Sequence, residues 1–446
     1  GLLGAATIFI YVFVAFASPW MITHHPIRET RLAQGFAMPE WVAILPQYAD
    51  FPRTIRNPIF WNASENPESI DIQWGEHAEI NYLGGKIKTA HVWLLYDFNY
   101  PHEVPPQTFQ IEFTWTAENV ENVTYTVNLG MVRLNDTVQP LWWFDSNEDG
   151  TGNAFINSEG TDTFLRLGLN PISDNVAERV FSGKGEYGML LDVIFMPTSK
   201  DAACKFTIKD GELRILGLLH GLLGTDNAGR DVYSQLVAGV VISLTVGLLA
   251  AVLSTSIGVV VGVVSGYTGG VVDEITMRTV DILLCLPVLP LLLTLMFIYG
   301  KSPYYLILII AVFWWLGLSR IIRSQVLSLR EMPFIEAAKA AGAGRFYTIF
   351  RHLIPNVLPV AFANMVLAVP GAIITEAALS FLGFGQQAVP TWGKMLNHAF
   401  NYGAFTHMAW WWIFPPGLAI IGLCLAFVFV GHAVDEIANP RLRRRR

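Results

Sequence analysis

The oxygen-bearing side chains of residues 145–150, Asp-Ser-Asn-Glu-Asp-Gly, are the clearest candidates for metal chemistry in this chain. Oxygens stand at alternate positions ahead of a glycine turn, the spacing that calcium loops use. They belong to Asp145, Asn147 and Asp149. The twelfth position of an EF-hand loop would be Ile156 instead of a glutamate, so Glu159 or Asp162 would have to complete a different kind of site. The two interpretations are a calcium site and a solvated acidic turn.

Glu376 is an ionisable residue inside an otherwise apolar stretch. An ionised side chain in the middle of a bilayer costs about 3 kcal/mol or more, so such a residue is by default a functional candidate. We consider Glu376, and Asn364 in the same stretch, as residues that line or gate a pathway. The alternative for Glu376 is a hydrogen bond to a neighbouring helix.

Motifs of common catalytic and nucleotide sites are missing from the sequence. Gly300-Lys301-Ser302 is similar to the end of a phosphate-binding loop, but the first glycine of that motif would fall at Leu295. Neither HExxH nor GxSxG occurs, and the three cysteines form no CxxC pair. We therefore expect no catalytic residue, no disulfide framework and no ATP site in this chain.

A basic segment separates two strongly apolar runs in the second half of the chain. Its cations favour a cytoplasmic location, because loops rich in lysine and arginine stay on that side of a membrane. The cations are Arg320, Arg323, Arg330, Lys339, Arg345 and Arg351, against the anions Glu331 and Glu336.

Residues 336–342 of this segment, EAAKAAG, predict a short helix. Glu336 and Lys339 have the i,i+3 spacing of an ion pair, and Gly342 suits the C-terminal cap. A second helical stretch, residues 345–353, should end before Pro355. A thin helix parallel to the membrane fits a groove of a soluble partner, and the alternative is an ordinary loop. The residues expected at such a contact are Glu336, Ala337, Ala338, Gly342, Arg345 and Pro355.

Six stretches are long and apolar enough to be considered transmembrane helices, which need about 20 residues. They are residues 2–21, 240–264, 282–299, 305–318, 357–382 and 410–434. Prolines should interrupt the third, fifth and sixth spans, at Pro287 and Pro290, Pro370-Gly371, and Pro415-Pro416. The sequence therefore predicts a polytopic α-helical membrane protein with six spans.

Charge is unevenly distributed along the chain. Residues 24–222 contain 14 Lys+Arg against 26 Asp+Glu, whereas the whole chain contains 29 against 36. The positive-inside rule then predicts cytoplasmic N- and C-termini, with residues 23–235 outside. The arginine tail, Arg441 and Arg443 to Arg446, should contact anionic lipid headgroups and not nucleic acid.

The acidic region has the pattern of β structure. Runs of β-branched and aromatic residues alternate with clusters of glycine, proline, asparagine and aspartate. The runs are residues 80–83, 91–98, 109–116, 123–129, 188–196 and 205–216. They predict an inserted extracellular all-β sandwich or jelly roll. The predicted domains are the first transmembrane helix (1–22), the β-rich domain (23–220) and a five-helix core (221–446) with a cytoplasmic coupling loop (320–356).

Two surface features of the β region bear on its role. Asn62, Asn122 and Asn135 begin N-glycosylation sequons, which would be used only in a host that glycosylates. Tryptophans are the second feature: they could stack against sugars, although most tryptophans of a sandwich are expected in its core. They are Trp74, Trp93, Trp115, Trp142 and Trp143.

Four segments, in order, resemble permeases of the dipeptide, oligopeptide and nickel importer family of ABC transporters. They are LGTDNAGRDVYSQL (223–236), GYTGGVVDEITMRTVDILLCLP (266–287), LSLREMPFIEAAKAAGA (327–343) and TEAALSFLGFGQQAVPTWGKML (375–396), and the terminal ANPRLR (438–443) belongs with them. The first segment precedes the second span. It should hold a local ion-pair cluster among Asp226, Gly229, Arg230 and Asp231.

The resemblance implies a permease subunit of an ATP-driven importer for peptides, metal chelates or oligosaccharides. It also implies a second homologous permease, two cytoplasmic ATP-binding subunits that hydrolyse ATP, and an external substrate-binding protein. Residues 336–353 would be the loop that couples to the ATPase. Related permeases usually carry a much shorter external segment, so the resemblance says nothing about most of the β region. We interpret this region as a docking or capping element for the binding protein, and the alternatives are subunit assembly and direct ligand capture.

Two other classes of protein remain as alternatives. A membrane-anchored extracellular receptor without transport activity would need only one span. An intramembrane enzyme would need converging acid, base or nucleophilic groups, whereas the spans hold isolated charges. Asp273, Arg278 and Asp281, near the second-to-third span connection, are expected to form a structural ion-pair network.

Overall fold

The computed structural model describes residues 1–63, 70–74, 77–85, 87–133, 137–385 and 389–438. The chain forms two compact units, one of residues 1–29 with 231–446 and the other of residues 30–230. Helix α1, Leu2–Met21, begins the first unit and coincides with the first predicted span. The second unit is a β domain inserted after α1, so the predicted fold class is confirmed.

The β unit consists of two antiparallel sheets that share one core. The strands are β1 Ile55–Pro58, β2 Asn62–Ala63, β3 Ile70–Trp74, β4 Ala78–Tyr82, β5 Ala90–Tyr100, β6 Thr108–Glu121, β7 Val123–Arg133, β8 Gln139–Ser146, β9 Gly150–Asn157, β10 Gly185–Pro197 and β11 Ala203–Leu216. The strand order of the six-stranded sheet is β3-β4-β11-β6-β9, with β1 also paired to β11. The strand order of the five-stranded sheet is β2-β5-β10-β7-β8. Two short helices, α2 Thr161–Leu167 and α3 Val176–Val180, lie between β9 and β10.

Alternating burial along the strands builds this core. In β7 every second residue from Val123 to Leu129 is buried, because successive side chains of a strand point to opposite faces. Aromatic rings join the two sheets: Trp115 of β6 stacks on Phe206 and meets Tyr125 of β7 edge-on. The six predicted strands are all present, and five further strands were missed.

The remaining helices complete the membrane unit. They are α4 Val232–Thr268, α5 Gly270–Leu284, α6 Val288–Tyr299, α7 Pro303–Leu329, α8 Pro333–Ala340, α9 Arg345–Thr348, α10 Ile354–Leu379, α11 Trp392–Asn401 and α12 Trp410–Ala438. Five helices in the described part of the chain are long and apolar enough to cross a membrane, and a bent helix pair would make six.

The third predicted span is interrupted at Pro287, as predicted, whereas Pro290 lies inside α6. The residues of the span are divided between α5 and α6, whose axes meet at 88° around Cys285–Pro287. Pro287 precedes α6 and restricts the residue before it to extended conformations, which ends α5. Twelve residues give α6 a length of about 18 Å, short of the roughly 30 Å hydrocarbon thickness.

The predicted interruptions of the fifth and sixth spans are wrong. Pro370 lies inside α10, and Pro415 and Pro416 lie inside α12. One proline removes one backbone hydrogen bond, and surrounding helices can compensate for that loss in a membrane bundle.

Three glycines spaced by four residues bring α4 against α7. An added Cβ on Gly262 would lie 2.7 Å from the carbonyl oxygen of Ser319, and one on Gly266 would lie 2.9 Å from that of Arg323. Gly258, one turn earlier, faces Leu318. Small residues at this spacing let two helix backbones approach closely, which compensates for the weak hydrophobic drive within lipid.

Candidate functional site

Helix α8 is anchored to the membrane unit by one buried side chain. Ile335 is fully buried in an apolar cluster with Ile322, Val326, Leu353 and Val357. Five of the six predicted contact residues are exposed and Ala338 is half-buried; the exposed ones are Glu336, Ala337, Gly342, Arg345 and Pro355. The helix therefore presents one thin, small-residue side while its opposite side is fixed to α7 and α10.

Gly342 ends α8 in the way that the sequence predicts. Its φ is +88°, its N–H donates to the carbonyl of Lys339, and the N–H of Ala343 donates to that of Ala338. These two hydrogen bonds are the Schellman arrangement, in which the residue after the helix takes a left-handed conformation. Nothing lies within 4 Å of the position that a Cβ would occupy on Gly342, so its surroundings are open.

The predicted Glu336–Lys339 ion pair is not formed. The ammonium group of Lys339 lies 5.8 Å from the ring centroid of Tyr267 instead, at the end of α4. An exposed i,i+3 pair contributes only a few tenths of a kcal/mol, so a cation–π contact to a neighbouring helix can replace it.

The second helical stretch does not end before Pro355, contrary to the prediction. Helix α9 passes through a π-helical turn, residues Ile349–Leu353, directly into α10, where Pro355 occupies the first turn. Proline is tolerated in a first turn, and wider turns of this kind accommodate breaks in the regular hydrogen-bond ladder. Arg345 begins α9 and is exposed.

Exposed aromatic residues on the α8–α9 segment were missed by sequence reasoning. Phe346 is 79% exposed and Phe350 is 66% exposed, while Phe334 and Tyr347 beside them are also exposed. Thr348 and Leu353 of the same stretch are buried, so the exposed rings form one side of an amphipathic segment. The i,i+4 spacing of Phe346 and Phe350 was the available signal.

The predicted ion-pair network behind this segment is present, with different partners. Arg323 of α7 binds both carboxylate oxygens of Asp273 on α5, and the hydroxyl of Ser265 donates to the same carboxylate. Arg320 binds Asp281. Arg278 is not part of these pairs, which tie α5 to α7.

Glu376 is buried near the end of α10 and lines a small pocket together with Ser380 and Thr391. Its Oε1 accepts a hydrogen bond of 2.6 Å from the Ser380 hydroxyl. Its Oε2 has no partner among the described residues. The Thr391 hydroxyl accepts from the backbone N–H of Lys394, which caps α11. Glu376 therefore lies where the end of α10 meets the start of α11.

Asn364 and Glu376 are not brought together. Twelve residues of helix separate them by about 18 Å along α10. The Asn364 side chain donates to the carbonyl of Val360 on its own helix, at 2.9 Å. That either residue lines or gates a pathway stays a prediction.

The predicted ion-pair cluster before α4 holds a tight loop in the β unit. Asp226 is fully buried; its carboxylate accepts from the guanidinium of Arg230 at 2.7 Å and from the backbone N–H groups of Ala228 and Arg230. Gly229 has φ +69°, and a Cβ there would lie 2.3 Å from the carbonyl oxygen of Ala33. In the membrane unit, Asp231 caps α4 by accepting from the N–H of Ser234.

The acidic turn at residues 145–150 connects the two sheets of the β unit. Asp145, Asn147 and Asp149 are all exposed, and Asp149 accepts from the N–H of Val120 on β6 at 2.7 Å. Among the described residues, no three His, Cys, Asp or Glu side chains are arranged to hold a metal ion. Calcium binding stays a prediction.

The predicted glycosylation sites are only partly within the described structure. Asn62 on β2 and Asn122 in the β6–β7 turn are exposed. Asn135 lies outside the described residues, as do the arginine tail and all of the ANPRLR segment except Ala438. Glycosylation of any of these sites stays a prediction.

Comparisons with known proteins match the membrane unit. The sequence pattern of the "binding-protein-dependent transport system inner membrane component" family covers residues 258–444. The dipeptide transport system permease protein DppC of Bacillus subtilis is 39% identical over 222 residues, which are 50% of this chain and 69% of that protein. The oligopeptide transport system permease protein OppC of Escherichia coli is 40% identical over 221 residues, 49% of this chain and 72% of that protein. A chain of the inward-facing MetNI methionine ABC transporter is 20% identical over 46% of this chain and 96% of its own length, with a TM-score of 0.36.

An apolar helical bundle with helices long enough to cross a membrane is typical of a multi-pass membrane protein, and here a thin, exposed helix is anchored on its surface. The extent of identity to the two permeases shows more: the chain belongs to the family of binding-protein-dependent transport system inner membrane components, the permease subunits of ABC importers. The resemblance predicted from the four segments is thereby confirmed.

Proposed function

We propose that this chain forms half of the translocation pathway of an importer for peptides or related small solutes such as oligosaccharides or metal chelates. The names of the matched permeases, which are dipeptide and oligopeptide transport proteins, support the peptide class. The chain would work with a second homologous permease, two cytoplasmic ATP-binding subunits that hydrolyse ATP, and an external substrate-binding protein.

The observation that carries this proposal is the two-sided α8–α9 segment. Ile335, Thr348 and Leu353 fix it to the bundle, while Phe346 and Phe350 project outward. Exposed aromatic side chains around a helix are typical of surfaces that bury against a protein partner. A partner that binds this surface would transmit its motion to α7 and α10 through the buried cluster. In this proposal α8, which contains the Glu-Ala-Ala sequence of residues 336–338, is the coupling helix.

The proposed orientation follows from charge. The α8–α9 segment carries Lys339, Arg345 and Arg351, which favours the cytoplasm, and the acidic β unit would lie outside. Both termini would then be cytoplasmic. The β unit would dock or cap the substrate-binding protein.

The same substitution at two glycines tests the coupling role. Gly342 and Gly168 both have positive φ, both follow a helix, and neither has an atom near the position of a Cβ. An arginine therefore imposes similar backbone strain at either site, about 1–2 kcal/mol. In the complex reconstituted with its partner subunits, we expect Gly342→Arg to lower uptake per ATP hydrolysed at least about tenfold. Gly168→Arg in the β unit should leave that ratio unchanged.

A second substitution separates coupling from helix strain. Phe346→Ala removes an exposed ring without altering the cap of α8, and Phe297→Ala removes a similarly exposed ring from α6. We expect only Phe346→Ala to reduce transport. Normal uptake in both Gly342→Arg and Phe346→Ala, or purification of the complex without any ATPase subunit, would overturn the proposal and favour a receptor without transport activity.

A further inference from the structure

The outer face of the five-stranded sheet carries an aromatic and polar row that the transport role does not use. Register places four residues side by side across β5, β10, β7 and β8. Trp93 pairs with Asp192, Asp192 with Asn128, and Asn128 with Trp143. Directly paired residues on adjacent strands point to the same face of a sheet. Two indole rings therefore flank a carboxylate and an amide on one surface.

Both tryptophans of this row are exposed, unlike the large aromatic residues of the core. Trp93 is 42% exposed and Trp143 is 54% exposed. Tryptophan is usually well buried, so two exposed indoles in one row need an explanation other than packing.

Neighbouring side chains hold both rings in place. The Trp93 ring packs beside the His91 ring, with 6.2 Å between the ring centroids, and His91 in turn contacts the Asp192 carboxylate. The guanidinium of Arg166 lies 5.5 Å from the ring centroid of Trp143 and donates to its backbone carbonyl. Rings that are fixed before a ligand arrives lose little conformational entropy on binding, which favours recognition.

The next row of the face adds further hydrogen-bonding groups. His91, Ile194, Thr126 and Asp145 are paired across the same four strands. His91 Nδ1 lies 3.2 Å from Asp192 Oδ1, and this contact orients the carboxylate. The face thus offers a carboxylate and an amide between the two indoles, and an imidazole, a hydroxyl and a second carboxylate in the row beside them.

We propose that this face, defined by Trp93, Asp192, Asn128 and Trp143 with His91 and Thr126, binds an oligosaccharide. A pyranose ring presents C–H groups on its faces, which pack on an indole, and hydroxyls around its edge, which need donors and acceptors. Three strand spacings separate the two tryptophans by about 14 Å, which is longer than a single sugar ring. A chain of several sugars lying across the strands matches that length.

Other macromolecules fit this face less well. Asp192 and Asp145 would repel a phosphate backbone, and Arg166 is engaged at Trp143. The centres of protein interfaces are depleted in charged residues, whereas here an acidic residue lies between the two rings. The face therefore matches a hydroxyl-rich, uncharged ligand.

Direct binding to the full-length protein in nanodiscs tests the proposal without requiring transport. The probes are an array of immobilised neutral hexasaccharides of glucose, galactose, mannose and xylose, followed by calorimetry with the best of them. Trp93→Ala and Trp143→Ala should each weaken binding about tenfold or more, and Trp143→Tyr should retain most of it. The matched control is Trp74→Ala, because Trp74 is 51% exposed on β3 of the other sheet. Circular dichroism and gel filtration confirm that each variant is folded.

Failure to bind any of the hexasaccharides would overturn the proposal. The proposal would also be overturned if Trp74→Ala abolished binding while Trp93→Ala and Trp143→Ala both retained it, because the sugar site would then lie elsewhere. If the two variants instead lose capture of the purified substrate-binding protein, without any sugar binding in wild type, the face is a protein contact and the assignment of an oligosaccharide is wrong.

Discussion

Charged residues that are candidates for a functional role from sequence have different structural roles in this molecule. Asp226 is an acceptor for a loop, Asp231 is a helix cap, and Glu376 accepts from the turn that follows its own helix. The sequence indicates that such residues must be satisfied, because an unpaired buried charge is costly. The sequence does not indicate their partners. For example, Thr391 lies near Glu376 only because of the path that the chain takes after α10.

Glu376 accepts from Ser380 in the turn after α10, and a pair of substitutions tests this role. Glu376→Gln keeps an oxygen acceptor for the Ser380 hydroxyl, whereas Glu376→Leu removes that acceptor and leaves the hydroxyl proton of Ser380 buried without a partner. We expect Glu376→Leu to destabilise the protein by about 1–3 kcal/mol, and Glu376→Gln to stay within about 1 kcal/mol of wild type. Thermal unfolding in detergent measures both. A Glu376→Gln variant with normal stability and no transport would show that the ionised group itself is needed.

Cys204 should make the stability of the β unit sensitive to alkaline pH. Its thiol is 2% exposed, and burial, with a smaller effect of Asp149, raises its pKa to about 12. In the unfolded chain the thiol ionises near pH 8.5, so the unfolded state is favoured progressively between that value and pH 12. Between pH 8 and 10, wild type should lose about 2 kcal/mol more stability than Cys204→Ala.

Exposed Cys285 provides the control for the thiol prediction. Cys285→Ala should follow wild type at both pH values, because this substitution leaves the buried thiol of Cys204 in place. Thermal unfolding at pH 8 and pH 10 compares the three proteins. Equal losses in wild type and Cys204→Ala would contradict the role of burial.

At the scale of elements, hydrophobic length and alternation predicted most helices and the six strongest strands. The missed strands have weaker patterns: β8 contains consecutive aromatic residues, and β9 contains two glycines and two asparagines among eight residues. The bend between α5 and α6 could be anticipated at Pro287, but not its angle, which depends on packing. Hydropathy describes each helix alone, so it also leaves out the contact between α4 and α7.

Close packing of α4 on α7 is the element-scale feature most sensitive to substitution. Gly262→Val would place branched carbons against the Ser319 carbonyl and Ile322. Overpacking of this kind costs about 1–3 kcal/mol, and the two helices would have to separate. We expect a lower melting temperature in detergent. The control is Gly317→Val on α7, where nothing lies within 4 Å of an added Cβ. Equal stability of Gly262→Val and Gly317→Val would contradict the close approach.

At the scale of the whole molecule, two units of opposite chemical character share one chain. The membrane unit matches its family from residue 258 onward, and the β unit lies outside that match. The four family-like segments predicted the permease. They could not predict the aromatic row on the five-stranded sheet, because strand register places side by side residues that lie far apart in sequence.

Whether the α8–α9 segment contacts an ATPase is the central question for the molecule. A photo-crosslinking amino acid at Phe346, in cells that co-produce the partner subunits, answers it most directly, and the same group at exposed Phe297 on α6 is the control. We predict a crosslink from position 346 to an ATP-binding subunit and none from position 297. A crosslink from position 346 only to lipid, or to the external substrate-binding protein, would contradict the account.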